Sequence, residues 1–73
     1  MKATAVLVTQ HYKERMVERN ITAKATALVM EKGYTRSSKE PGRNINILGP
    51  VSVVWTNDNG LVTLITCYSD LDD

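Results

Sequence analysis

The sequence predicts an α+β domain: two N-terminal helices packed on a four-stranded antiparallel sheet. A short run ahead of the helices can add one further strand. Three observations lead there. Up to Gly33 the apolar residues recur at helical spacing, as at Tyr12 and Met16 or Ala25, Leu28 and Val29. After Gly33 the pattern changes to a period of two. The two strongest strand-like runs, "VSVVWT" and "LVTLITCY", are joined by "NDNG", Asn57 to Gly60, where Asn and Gly tolerate the positive φ of a tight hairpin.

Taken in order, residues 3–8, "ATAVLV", read as a short strand. Thr9 is an N-cap for a helix from Gln10 to about Arg19, with Tyr12, Met16 and Val17 on its apolar side. Asn20 closes that helix in a left-handed conformation, and Thr22 caps a second helix over 23–32. The two helices form a tight corner. Gly33 stops the second helix. "YTRSS" is a weak strand, Pro41-Gly42 a turn, "NINIL" a strand and Gly49-Pro50 a break before the terminal hairpin.

A two- or four-residue hairpin loop puts Val51, Val53 and Trp55 on one face with Val62, Leu64, Thr66 and Tyr68. That face is apolar enough to pack beneath the helices. Ser52, Val54, Thr63, Ile65 and Cys67 then fall on the other face. This second face is not fully polar, which suits a covering strand or a homodimer.

At 73 residues the chain is one domain, assigned to 1–69, with 70–73 as an acidic, frayed tail. The formal net charge of +1 excludes the overall basic balance of a general nucleic-acid binder, but leaves room for a local patch. Lysines and arginines from Lys13 to Arg43 dominate the first two-thirds, and Asp58, Asp70, Asp72 and Asp73 the last. One cysteine, Cys67, permits no internal disulfide, and with one histidine it makes no standard zinc site, so no metal or cofactor is expected. Cys67 in its apolar run reads as a small buried hydrophobe. No apolar run nears the roughly 20 residues of a membrane span, and no signal-peptide pattern is present, so a cytoplasmic protein is expected.

His11, Arg15 and Arg19 stand four residues apart. Four residues turn a helix by about 400°, so the three form one slightly slanted row beside the Tyr12–Met16 stripe. Such a row lies where the helix meets the sheet. Arginine's planar fork donates paired hydrogen bonds to phosphate oxygens. Histidine exchanges protons near neutral pH. RNA cleavage needs a proton acceptor for the 2′-hydroxyl and cations for the charge that grows on phosphorus. The plainer reading is a solvated flank with Arg15 paired to Glu14 or Glu18. Arg43, in the turn after Pro41-Gly42, can reach a phosphate or simply be exposed. Trp55 suits a core better than a stacking platform.

The order "T-x-H-x-x-x-R-M-x-x-R-x-I-T" from Thr9 to Thr22, then a short helix, Gly33, and strands ending "G-L-V-T-L-I-T-C-Y", resembles a family of small bacterial and phage domains. That family is similar to the barnase–EndoU–colicin–RelE superfamily, which includes metal-independent ribonucleases and toxins. The resemblance covers roughly residues 7–68. It departs at Tyr12, where the family has Ala, and at Asn20, where it has Gly. It implies catalytic roles for His11, Arg15 and Thr66, and substrate binding by Arg19 and Tyr68, to which the sequence reading adds Arg43.

Two functions therefore stand side by side. One is a small metal-independent endoribonuclease or toxin that holds an RNA phosphodiester in a groove between the first helix and the sheet. The other is a non-catalytic bacterial or phage interaction or inhibitor protein. RNA, a cognate antitoxin, a host protein and a second copy of the chain are the expected partners, and a membrane is not.

Overall fold

The computed structural model describes residues 5–70. Along the chain run β1 (Ala5–Val8), α1 (Gln10–Glu18), α2 (Ala23–Lys32), β2 (Tyr34–Ser37), β3 (Asn44–Leu48), β4 (Val51–Asp58) and β5 (Leu61–Ser69). The fold is α+β, with two helices on a mixed five-stranded sheet of order β1-β5-β4-β3-β2. Strands β2 to β5 form an antiparallel meander, as the period-two pattern implies. The expected sheet is corrected in one respect. β1 joins it as a fifth strand, parallel to β5, with Val8 opposite Leu64. The helices carry the chain from β1 at one edge to β2 at the other. Residues 3 and 4 of the expected first strand, and 71–73 of the expected tail, lie outside the described residues. Asp70 is tied down, its amide donating to the Pro50 carbonyl at 2.9 Å.

Local chemistry fixes the helix ends. Thr9 Oγ1 accepts from the Tyr12 amide at 3.1 Å and donates to the Leu64 carbonyl at 2.9 Å, so one side chain both caps α1 and ties it to β5. Thr22 Oγ1 accepts from the Ala25 amide at 3.0 Å. Asn20 has φ 56°, the left-handed geometry expected at the corner. Gly33 ends α2 for a different reason than left-handed geometry, since its φ is −72°. A Cβ there would stand 2.6 Å from the Val29 carbonyl oxygen and 2.7 Å from that of Ile47. Glycine is required because β3 passes close to the helix end.

The core lies between the helices and one sheet face. It gathers Tyr12, Ile21, Val29, Val53, Trp55, Val62, Leu64 and Cys67. Polar residues enter it too: Thr26 is buried beside Tyr12, and Asn46 lies beneath α2. Asn46 is 3% exposed. Its Oδ1 accepts from Trp55 Nε1 at 2.8 Å and Thr35 Oγ1 at 2.7 Å. Its Nδ2 donates to the Val29 and Met30 carbonyls at 3.3 Å each. The four bonds meet the full capacity of the amide and satisfy two carbonyls in the last turn of α2.

The hairpin turns through Asn59 and Gly60, with φ 52° and 90°, and Asp58 opposite Leu61. Of the two expected loop lengths, two or four residues, the shorter is present. The face assignment follows expectation only as far as Leu64. Trp55 pairs with Leu64, but Val54 pairs with Thr66, so Ile65 is an extra residue on β5. A bulge of this kind reverses the alternation beyond it. Cys67, opposite Val53, consequently faces the core with 0% exposure. Thr66 and Tyr68 take the face away from the helices, beside Val54 and Ser52. This corrects their expected placement on the helix side.

Candidate functional site

The β5 edge gathers more of the expected residues than any groove beneath α1. β1 pairs only with Leu61–Leu64, so it leaves the outer edge of β5 from Ile65 onward without a strand. α1 packs against β5. Its core side is set by Tyr12, fully buried, whose hydroxyl shares a 2.8 Å hydrogen bond with Thr26 Oγ1 of α2. With Tyr12 turned inward, the row on its flank falls along the edge.

Arg19, the C-cap residue of α1, reaches round that edge. Its guanidinium carbon stands 5.9 Å from the centroid of the Tyr68 ring. Tyr68 is 49% exposed, so the stack borders solvent. Arg15, one turn earlier, is ion-paired with Glu18. This is the local pairing that the plainer sequence reading anticipates. The Glu18 side chain is 56% exposed and that of Arg15 34%, so water screens the pair in part, and an incoming anion can compete for Arg15. His11 is exposed on α1, one turn before Arg15.

The arginines also make themselves felt inside. Burial pushes the Cys67 thiol up from its ordinary value, while the Tyr12 hydroxyl and the positive charges of Arg19 and Arg15 pull the other way. Burial likewise pushes Tyr12 up to about 12, against the lowering effect of its bond to Thr26. Neither group is a nucleophile at neutral pH. Cys67 is the buried small hydrophobe that its apolar run suggests.

Two expected residues lie apart from this cluster. Thr66 is 9% exposed on the face away from α1, opposite Val54. Arg43 sits in the β2–β3 turn, paired with Glu40 at 2.9 Å. Asn44, next to it, is opposite Trp55, whereas Tyr68 is opposite Ser52. Arg43 thus lies two strands away, roughly 10 Å across the sheet, and near its other end. Trp55 is 5% exposed and belongs to the core.

The sequence assigned no face to Asn46, Tyr34 or Arg36; the register places Asn46 inward and the other two on the open face. The signal for Asn46 was its position within an alternating strand, where either parity was open. Tyr34 and Arg36 belonged to a strand too weakly patterned to assign a face. No helix is long and apolar enough to cross a membrane among the described residues. No family model matches the chain, and searches of curated proteins and of solved structures return no significant match.

Proposed function

We propose that this protein is a small ribonuclease-like domain that holds an RNA phosphodiester at the β5 edge. The observation that carries the reading is the stack of Arg19 on the half-exposed Tyr68, with Arg15 one turn away on the same helix flank. A base rests on the tyrosine ring while the two guanidiniums meet the phosphate. His11, continuing the row, exchanges the proton of the 2′-hydroxyl or of the leaving oxygen, and the arginines offset the charge on phosphorus.

The test is incubation of purified protein with single-stranded RNA in the presence of a chelator, beside His11→Ala. Cleavage by the wild type alone supports the reading. Intact RNA in both, with no binding by the wild type, sinks it.

A second reading is favoured by a different feature. An apolar groove of about 480 Å³ runs between β1, α1 and α2, lined by Val6, Tyr12, Met16, Ala27, Met30 and Leu64. Val6 is 58% exposed beside it. Such a groove suits a protein partner, an antitoxin or host protein, bound without catalysis. Capture of a partner that Val6→Asp abolishes, together with absence of RNA cleavage, would favour this reading over the first.

A further inference from the structure

The face of the sheet turned away from the helices carries a second feature, distinct from the β5 edge. The register places Tyr34, Ile47, Ser52 and Tyr68 in one row across β2, β3, β4 and β5. A parallel row holds Arg36, Ile45, Val54 and Thr66. Val54 on β4 and Thr66 on β5 are 6% and 9% exposed. At the rims Tyr34 is 62% exposed and Tyr68 49%, and Arg36 is exposed as well. The two rows thus form a shallow trough with a tyrosine and an arginine at each side: Tyr34 and Arg36 on β2, Tyr68 with Arg19 against it at β5.

None of the eight row positions carries a carboxylate. Asp58 stands at the hairpin tip and Asp70 past the end of β5, both outside the rows. The one charged side chain within the rows is the Arg36 guanidinium, and their exposed large side chains are the aromatic Tyr34 and Tyr68. We infer that this face is a platform for single-stranded RNA, with Tyr34 and Arg36 forming a nucleotide subsite remote from the β5 edge. The inference rests on the proposed binding of a phosphodiester at Tyr68 and extends it across the sheet.

The physical case is one of complementarity. Every base presents a π-face, and an exposed ring stacks on it whatever the sequence. Stacking needs unpaired bases, which a duplex does not offer. Three strand spacings separate Tyr34 from Tyr68, roughly 14 Å, which a few linked nucleotides span. Arg36, two residues beyond Tyr34 on the same face, meets the phosphate that follows the stacked base. The small polar side chain of Ser52 between the two rings leaves the backbone a passage. The isoleucines give the sugars and bases an apolar floor.

The test uses the full chain and a fluorescein-labelled mixed-sequence RNA of about 12 nucleotides, within the site sizes such surfaces occupy. It is measured by anisotropy as a single strand and annealed to its complement. The wild type should bind the single strand at least about tenfold more tightly than the duplex. Tyr34→Ala should weaken single-strand binding about fivefold or more, and Tyr34→Phe should restore it. Tyr34 is exposed on an edge strand, so a thermal melt matching the wild type accompanies a valid result. Equal binding by Tyr34→Ala and the wild type would overturn the subsite while leaving the β5 reading intact. Duplex bound as well as single strand would do the same. Failure of the wild type to bind any RNA would reject both. A dimer in light scattering that Tyr34→Ala dissolves, with RNA binding unaltered, would reassign the face to self-association.

Discussion

Arg19 and Tyr68 meet across an edge that separates the two faces of the sheet. The guanidinium comes from the helix side, the ring from the open side, and they stand 5.9 Å apart. The contact exists because the bulge at Ile65 turned Tyr68 outward and the short β1 left that edge uncovered. A stack of this exposure contributes about 0.5–1 kcal/mol, so it is a minor part of stability. Tyr68→Leu should therefore leave the melting temperature within a few degrees of the wild type. Its affinity for single-stranded RNA should fall about fivefold or more. Unchanged affinity would show that the ring does not touch the nucleic acid.

Arg15 offers a separate reading through salt. A guanidinium that neutralises one phosphate of a single strand adds about 0.7 to the slope of log affinity against log salt. Arg15→Gln should lower the measured slope by about that amount. The Glu18 partner it leaves behind is exposed, so little stability is lost. A slope equal to the wild type's would place the phosphate elsewhere.

Asn46 is the most consequential polar side chain of the core. Asn46→Leu leaves Trp55 Nε1 and the Met30 carbonyl without this partner, while the Val29 carbonyl keeps only the Gly33 amide. Each loss in a water-poor site is expensive, and together they should cost about 2–4 kcal/mol in urea unfolding followed by Trp55 fluorescence. A neutral outcome would mean that the amide network contributes nothing net.

Gly33→Ala tests the close approach of β3 to α2. The added Cβ meets two backbone carbonyl oxygens at 2.6 and 2.7 Å, and neither can rotate away. Overpacking against backbone should cost about 1–3 kcal/mol, although alanine is otherwise at ease with the glycine's φ and ψ. A stabilised variant would indicate that the helix end and β3 separate freely.

Alkaline stability follows from Tyr12. Its pKa is raised from the ordinary 10.0 to about 12 in the folded chain. The unfolded chain therefore loses the phenolic proton first, and stability falls as pH rises from about 10 through about 12. The contribution at stake is roughly 2–3 kcal/mol. Below about pH 10 it is fully present. The raised Cys67 thiol acts in the same direction above its own ordinary value of 9.0. Tyr12→Phe should flatten the decline in unfolding free energy between pH 10 and 12, at the expense of the bond to Thr26. A decline as steep as the wild type's would assign the alkaline loss to other groups.

Periodicity and local residue chemistry determined the helices, their Thr9 and Thr22 caps, the left-handed Asn20 and the order of the strands along the chain, and narrowed the terminal hairpin to a two- or four-residue loop. These are local decisions, made by side chains within a few residues of the backbone they shape. The spacing of His11, Arg15 and Arg19 along one helix flank is of the same kind. What faces what was decided by tertiary structure. A single extra residue, Ile65, moved Thr66 and Tyr68 to the open face and Cys67 into the core, because parity in a strand is cumulative and one bulge inverts all that follows. The turning of Asn46 inward, with Ile45 and Ile47 left outside, came from four hydrogen-bond partners on three other elements. The parallel pairing of β1 with β5 depended on where the two helices returned the chain. Such choices depend on partners distant in sequence, and no local pattern contains them.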